Sequence, residues 1–195
     1  MQVGITGGIG CGKSIVGRIF GCLGIPLYDA DSRAKKLMTT DRILVDQIKK
    51  EFGILSYHQD GGLNKEHLRQ AFNNPQELDK LNKLVHPRVG NDYKDWVKQQ
   101  AGAKYVIKEA ALLFESGSVK GLDKIIVVSA PKQLRMQRVR NRDPQRSVRE
   151  IEDIMNSQMD DDAKRKMADY VIVNDETQLV IPQVLQLHER FISVN

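Results

Sequence analysis

The sequence has few cysteines. Only two of its 195 residues are cysteines, Cys11 and Cys22. If the segment between them is helical, a rise of about 1.5 Å per residue places them roughly 16 Å apart. A disulfide needs Cα atoms within about 7 Å of each other. We therefore expect two free thiols in a reducing compartment, and a fold that does not depend on disulfide bonds.

Long apolar runs are also lacking. No stretch approaches the roughly 18 apolar residues that a membrane span requires. The N-terminus, from Met1 to Thr6, is strand-like in composition and lacks the basic and then apolar layout of a secretion signal. These absences predict a cytoplasmic protein that does not interact with membranes.

Charge of one sign is only slightly in excess, and aromatic residues are scarce. The formal net charge is +5, and aromatic residues make up 6% of the chain. A nucleic-acid binder would need clustered basic residues interleaved with aromatic side chains for stacking. The sequence shows no such pattern, so we expect an anionic small-molecule ligand and no nucleic acid.

The apolar residues that are present form short β-rich runs separated by helical segments. These runs are Gln2–Thr6, 25–28, 105–108, 124–128 and Tyr170–Val173. They are apolar almost continuously, as in strands that are buried on both faces of a parallel sheet. We predict an α/β fold in which helices flank a five-stranded parallel sheet.

Two long segments interrupt the alternation of strands and helices. Residues 32–103 are polar and helical in pattern, with turn signals at Asp60-Gly61-Gly62, Asn73-Asn74-Pro75 and His86-Pro87. Residues 134–166 are dense in Arg and Asp. We predict one domain with a core formed by 1–31, 104–133 and 167–195, a helical insertion at 32–103 and a second insertion at 134–166.

A phosphate-binding motif follows the first predicted strand. Gly7-Gly8-Ile9-Gly10-Cys11-Gly12-Lys13-Ser14 matches G-x-x-x-x-G-K-[ST], and an amphipathic helix follows it, as the motif requires. Glycines let the backbone N–H groups turn toward a phosphate, and the helix N-terminus adds positive potential. Lys13 can reach the β- and γ-phosphates, and Ser14 can bind Mg²⁺. Because Cys11 lies beside Lys13 and the helix N-terminus, we expect it to be the more reactive thiol.

The loop predicts a phosphate site but leaves the reaction open. A guanine-nucleotide switch would carry N-K-x-D, and the nearest segment, Asn82-Lys83-Leu84-Val85, lacks the aspartate. A motor would have an apolar strand that ends in a Mg²⁺-binding aspartate, whereas here the strand ends in Lys108-Glu109. A small-molecule kinase is favoured, and a nucleotide-binding switch or adaptor is the alternative from another class.

Two acids follow the second predicted strand. Residues two apart on a strand point to the same side, so Asp29 and Asp31 could both face the crevice at the carboxyl ends of the strands. A carboxylate opposite a phosphate loop can accept a hydroxyl proton. The alternative is that the two acids mark the N-terminus of a helix.

Taken together, these segments resemble those of the dephospho-CoA kinase family. The resemblance rests on the phosphate loop, Asp29-Ala30-Asp31, His86-Pro87, Leu112-Leu113-Phe114-Glu115, Arg138 to Asp143, Gln158 and the run from Ala168 to Asn174. It implies transfer of the γ-phosphoryl group of ATP, with Mg²⁺, to the ribose 3′-hydroxyl of dephospho-CoA. It also implies a P-loop kinase core, a helical substrate-binding insertion and an arginine-rich lid. Another nucleotide or metabolite kinase is the nearest alternative.

The resemblance also implies roles for particular residues. Catalysis is assigned to Lys13, Asp31, Arg138 and Arg142, the last two as lid arginines that lie four apart on one helix face. Dephospho-CoA binding is assigned to Asp29, Asp31, His86 and Glu109, although Glu109 could instead orient a Mg²⁺-bound water. ATP binding is assigned to Gly8, Gly10, Cys11, Gly12, Lys13, Ser14, Ile15 and Asn174, with Ser14 as the metal ligand. Ile15 stands where the family usually has threonine. The sequence leaves the oligomeric state open.

Overall fold

A computed structural model describes residues 1–72 and 74–193 and contains a five-stranded parallel sheet. Its strands are β1 (Gln2–Thr6), β2 (Leu27–Asp29), β3 (Val106–Glu109), β4 (Lys124–Ser129) and β5 (Tyr170–Val173). They lie in the order β2-β3-β1-β4-β5, with every neighbouring pair parallel. The predicted α/β fold is confirmed.

The chain divides into two compact units. The core unit comprises Met1–Asp29 and the chain from Gln100 onward, and the helical unit is Ala30–Gln99. Helices of the core unit are α1 (Lys13–Cys22), α6 (Lys132–Arg142), α7 (Val148–Ser157), α8 (Asp161–Met167) and α9 (Val180–Ser193). Helices of the helical unit are α2 (Ala30–Thr40), α3 (Arg42–Phe52), α4 (Lys65–Phe72) and α5 (Pro75–Gln99).

The core unit is built around apolar strands that pack against α1 and α9. One buried cluster joins the side chains of the central strands to those of the two helices, namely Val3, Ile5, Ile107, Ile126, Ile172, Val16, Phe20, Val184, Leu187 and Phe191. Full burial of a side chain of this size contributes about 1.5–3 kcal/mol relative to leaving it exposed. Because the strands are parallel, their carboxyl ends meet at one edge, where Ile5 lies opposite Glu109 and Ile126.

The boundaries of β2 differ from the prediction. The expected strand 25–28 is observed as Leu27–Asp29. Pro26 has no N–H to contribute to the sheet, and Gly24, with φ of +80°, completes the turn that precedes it. The Pro26 carbonyl still accepts a hydrogen bond from the Ile107 amide at 2.9 Å.

The helical unit is held together by apolar packing and by ion pairs between its segments. Arg33 in α2 forms a bidentate pair with Asp92 in α5, at 2.8 and 2.6 Å. Arg88 in α5 bonds Asp41, which also caps α3 through the Leu44 amide. The bounds of this unit, Ala30–Gln99, nearly coincide with those of the predicted insertion, 32–103. The role of this insertion in acceptor binding stays a prediction.

The turns predicted within this unit have different outcomes. Asp60 to Gly62 forms a turn in which the Gly62 amide donates to Asp60, so that prediction is confirmed. At Asn73-Asn74-Pro75, Asn73 lies outside the described residues, and Pro75 begins α5. The turn predicted at His86-Pro87 is wrong, because α5 continues through Pro87 for 25 residues. In the described part of the chain, no helix combines the length and apolar character needed to cross a membrane.

Candidate active site

The phosphate loop connects β1 to α1 at the carboxyl edge of the sheet. Gly10 and Gly12 have φ of +81° and +93°, backbone conformations that other residues adopt only with strain. Within the described part of the chain, no side chain caps the N-terminus of α1, and its first turn contains no acid. The helix therefore presents backbone N–H groups and positive potential to an anion, with Lys13 as its first residue.

Side chains from later in the sequence contact the glycine-rich part of this loop. Gln158 Oε1 accepts a hydrogen bond from the Ile9 amide, and Asn174 Nδ2 donates to the Cys11 carbonyl, each at 2.8 Å. The third is Arg135, because a Cβ added at Gly8 would overlap its Nη1 atom. Asn174, which was predicted to bind ATP, thus contacts the loop itself.

Ser14 and Glu109 form a polar pair at the start of α1. The Ser14 hydroxyl donates to Glu109 Oε1 at 2.6 Å, and Glu109 is the last residue of β3. Among the described residues, no group of three or more His, Cys, Asp or Glu side chains could hold a metal ion. A hydroxyl beside a carboxylate suits Mg²⁺ that is held mainly by nucleotide phosphates. Glu109 was predicted to lie in the acceptor site or to orient a Mg²⁺-bound water, and its pairing with Ser14 favours the second of these roles.

The arginines of α6 make separate contacts. Arg138 donates to the Asn174 carbonyl at 3.0 Å and pairs with Glu176 at 3.1 Å. The Arg142 side chain is 63% exposed and pairs with the neighbouring Asp143. Arg135 is the buried arginine of this helix, and it was not among the residues predicted for the site, because a run of charged residues usually forms a solvated helix face. Arg135 lies three residues before Arg138, so the two share a helix face, and this spacing could have identified Arg135 as a site residue.

The prediction that Cys11 is the more reactive thiol is wrong. Both cysteines are free, as predicted, but Cys11 is completely buried and Cys22 is exposed. Burial raises the pKa of Cys11 because it penalises the thiolate, and this effect outweighs the nearby Lys13 charge. The sequence places Cys11 in a loop, but only the tertiary packing determines that its sulfur points inward.

Asp29 and Asp31 do not share a strand face, so that prediction is wrong. β2 ends at Asp29 and α2 begins at Ala30, so Asp31 lies in the first turn of a helix. Asp29 is partly buried and pairs in register with Glu109, whereas Asp31 is exposed. The helix-terminus alternative therefore describes the local structure of Asp31 correctly.

His86 and Ile15 complete the predicted site residues. His86 is partly buried inside α5 and does not lie at the helix boundary that its neighbour Pro87 suggested. Ile15 lies in the first turn of α1 with 55% of its surface exposed. The acceptor and nucleotide roles of these two residues stay predictions.

A buried ion pair fixes the segment that contains Gln158. Lys164 in α8 has no exposed surface and pairs with Glu115 at 2.9 Å. The same carboxylate accepts a hydrogen bond from the Met159 amide. Burial tends to raise the pKa of Glu115, but the Lys164 ammonium and backbone N–H groups hold it below its usual value. This pair anchors the chain next to the residue that contacts Ile9.

Comparisons with known proteins agree with this geometry. A dephospho-CoA kinase family profile matches residues 1–179. The dephospho-CoA kinase of Coxiella burnetii is 38% identical over 197 residues, which cover 100% of this chain and 98% of that protein. The Bacteroides fragilis enzyme of the same name is 35% identical over 188 residues, covering 96% and 91%. A Thermus thermophilus crystal structure superposes with a TM-score of 0.84 at 29% identity, covering 97% and 96%. The chain belongs to the dephospho-CoA kinase family.

Proposed function

We propose that this protein transfers the γ-phosphoryl group of ATP to the ribose 3′-hydroxyl of dephospho-CoA, which yields coenzyme A. Family membership supports the substrates. The observation that carries the proposal is the phosphate loop with an uncapped helix N-terminus, Lys13 and the Ser14–Glu109 pair at one edge of the sheet. Phosphoryl transfer requires mainly positioning and charge stabilisation, and this arrangement provides both.

The loop and the start of α1 are proposed to bind the nucleotide. Backbone N–H groups of the loop would surround the phosphates, apart from the amides of Ile9, Cys11 and Ile15, which already donate within the protein. Lys13 would contact the β- and γ-phosphate oxygens. Ser14 and Glu109 would hold Mg²⁺, Ser14 by its hydroxyl and Glu109 by its carboxylate or through a bound water. When bound, the ion neutralises charge that develops on the phosphates.

The acceptor is proposed to interact with Asp31, Asp29 and His86. Asp31 orients the 3′-hydroxyl and accepts its proton as the phosphoryl group is transferred. The support for this role is the match of Asp29-Ala30-Asp31 to the family segment.

Residues 134–166 are proposed to act as a lid over the nucleotide, with Arg138 and Arg142 as its cationic groups. Arg138 already lies at the loop through its bond to Asn174. Arg142 is exposed and pairs with Asp143, so it would have to exchange this carboxylate for a phosphate oxygen when the lid closes. Lid closure excludes water, which otherwise competes with the acceptor hydroxyl.

An acceptor panel tests the proposed function. ATP consumption is measured with dephospho-CoA, adenosine, AMP, shikimate or no acceptor, and the product is identified by mass spectrometry. We expect rapid consumption with dephospho-CoA alone and a product heavier by one phosphoryl group. Faster turnover of another acceptor would replace the substrate assignment, and slow hydrolysis that is unaffected by every acceptor would favour a nucleotide-binding switch.

A further inference from the structure

A buried arginine packs directly on the phosphate loop. Arg135 lies in the first turn of α6, and only 8% of its surface is exposed. A Cβ added at Gly8 would overlap the Arg135 guanidinium, and a Cβ added at Gly10 would overlap its main chain. The first half of the loop is therefore shaped around this residue at two points.

The guanidinium of Arg135 is held by one charged partner. Its Nη1 atom lies 3.5 Å from Oδ1 of Asp161, the first residue of α8. Within the described part of the chain, the buried Nε of Arg135 has no hydrogen-bond partner. Asp161 is therefore the group that determines where the guanidinium lies over Gly8.

Asp161 itself has a fixed position. The preceding residue, Asp160, caps α8 by accepting hydrogen bonds from the amides of Asp162 and Ala163. Burial raises the pKa of the Asp161 carboxyl, and the Arg135 and Lys164 charges oppose this shift. The Arg135 charge thus favours the ionised form of its own anchor.

The same short segment contacts the loop a second time. Gln158 lies three residues before Asp161 and accepts the hydrogen bond from the Ile9 amide. Arg135, Gln158 and Asp161 also line a common cavity of about 260 Å³. Gly8, Ile9 and Gly10 are thereby restrained by α6 and by the start of α8 together.

We propose that Arg135 and Asp161 are positioning residues that clasp Gly8–Gly10 in the conformation that accepts the phosphates. Glycine-rich backbone has many accessible conformations, so a loop of this composition needs outside contacts to hold one of them. A displacement of about 1 Å at a reacting group can cost a hundredfold in rate. The effect of this clasp on the rate rests on the proposed function. Its effect on the conformation of Gly8–Gly10 does not depend on that function.

The buried thiol of Cys11 reports loop order without any substrate. Alkylation of Cys11 and Cys22 is followed by mass spectrometry in the wild type and in the double variant Arg135→Gln/Asp161→Asn, which removes both charges. We expect Cys11 to react at least about tenfold faster in the double variant. Exposed Cys22 should react at one rate in both proteins and serves as the internal reference. An unchanged Cys11 rate would overturn the proposal.

Steady-state kinetics provide the second measurement. In the double variant, we expect kcat/KM for ATP to fall about ten- to a hundredfold, while KM for dephospho-CoA changes less than threefold. Arg140→Gln removes an exposed arginine from the same helix and should leave both parameters unchanged. Wild-type kinetics in the double variant, or an effect confined to the acceptor KM, would contradict the clasp.

A conservative variant covers the case in which the double variant does not fold. Arg135→Lys keeps the charge but loses the planar guanidinium. We expect this variant to have the melting temperature of the wild type. Its Cys11 labelling rate and its kcat/KM for ATP should lie between those of the wild type and those of the double variant. Wild-type values for both would overturn the proposal. If the wild type does not phosphorylate dephospho-CoA, the proposed function fails, and Cys11 labelling still decides whether the clasp exists.

Discussion

At the scale of single residues, Asp31 is the most informative position. Asp31→Asn keeps the size and one acceptor oxygen of the side chain but removes its charge. General-base assistance contributes roughly a hundred- to ten-thousandfold, so we expect turnover to fall at least about a hundredfold. Affinity for ATP, measured by calorimetry, should stay nearly unchanged.

Asp29→Asn is the matched control for this experiment. At most one of the two carboxylates can contact the reacting hydroxyl, so the Asp29 variant should lose less activity than the Asp31 variant. If Asp31→Asn retained most of its turnover, the carboxylate would be only a first-turn acid of α2, and the proposed mechanism would be wrong.

Glu109 provides the second prediction at this scale. Its carboxylate accepts the hydrogen bond from Ser14, the proposed Mg²⁺ ligand. Mutation of a group that orients a metal ligand typically lowers metal affinity or activity by about ten- to a hundredfold. Glu109→Gln should therefore raise the Mg²⁺ concentration needed for half-maximal activity by at least about tenfold. Glu152→Gln, at an exposed position in α7, is the control. An unchanged Mg²⁺ dependence would remove Glu109 from the metal site.

At the scale of elements, α5 contains an unusual proline. Pro87 lies within a 25-residue helix and cannot donate a hydrogen bond to the carbonyl four residues earlier. Proline inside a helix costs about 3 kcal/mol, so we expect Pro87→Ala to increase the free energy of unfolding by roughly 1–3 kcal/mol in urea titrations.

Gly90→Ala calibrates that measurement in the same helix. Beyond its own stretch of helix, a Cβ at Gly90 would meet none of the described residues within 4 Å, so this change should stabilise the protein by about 1 kcal/mol through helix propensity alone. A Pro87→Ala variant less stable than the wild type would show that the rest of the helical unit depends on the distortion that proline introduces.

The contact between α8 and the segment after β3 depends on the charge of Glu115. Its pKa is lowered in the folded protein, so its pairing with Lys164 contributes full stability above the unfolded value of about 4.5. That contribution is lost as the pH falls through the folded pKa. Glu115→Gln leaves Lys164 buried without its partner, and we expect a loss of about 3–5 kcal/mol at pH 7.

The difference between Glu115→Gln and the wild type should begin to shrink below about pH 4.5, where the carboxyl of the unfolded chain takes up a proton. It should be lost once the pH has fallen through the lower pKa of the folded protein. Urea titrations from pH 7 to pH 3 measure this convergence. Asp95→Asn, which breaks the exposed pair with Lys98, should change stability by less than about 1 kcal/mol at any pH. A constant difference across the pH range would show that Glu115 acts through packing alone.

At the scale of the whole molecule, ligand binding should raise global stability. Mg-ATP at a hundred times its Kd is expected to add about 2.7 kcal/mol to the free energy of unfolding. For a protein of this size, that corresponds to a rise in Tm of roughly 5–10 °C. Lys13→Ala should fold normally but show little of this rise, and it should lose transfer activity. A Lys13→Ala protein with the full rise and near-normal turnover would contradict the assignment of the loop.

Much of the fold could be predicted from the sequence because its signals are local. Continuous apolar runs indicated five buried parallel strands, and β1 and β5 have the predicted limits. The phosphate motif could be recognised because every group it requires lies within eight consecutive residues. Local signals failed where tertiary packing outweighed them. Proline usually ends a helix, but α5 continues past Pro87 because the helix is packed against the rest of its unit.

The sequence by itself determined the fold class, the phosphate loop and the resemblance to one kinase family. Only the tertiary structure decided which distant side chains contact that loop, namely Glu109, Arg135, Gln158 and Asn174. It also decided that the Cys11 thiol is buried and that Asp31 lies in the first turn of a helix. The physical reason is that burial, desolvation and ion pairing depend on neighbours that are remote in the chain. Arg135 and Asp161, which are 26 positions apart, meet over Gly8 only because α6 and α8 pack on the same side of the loop.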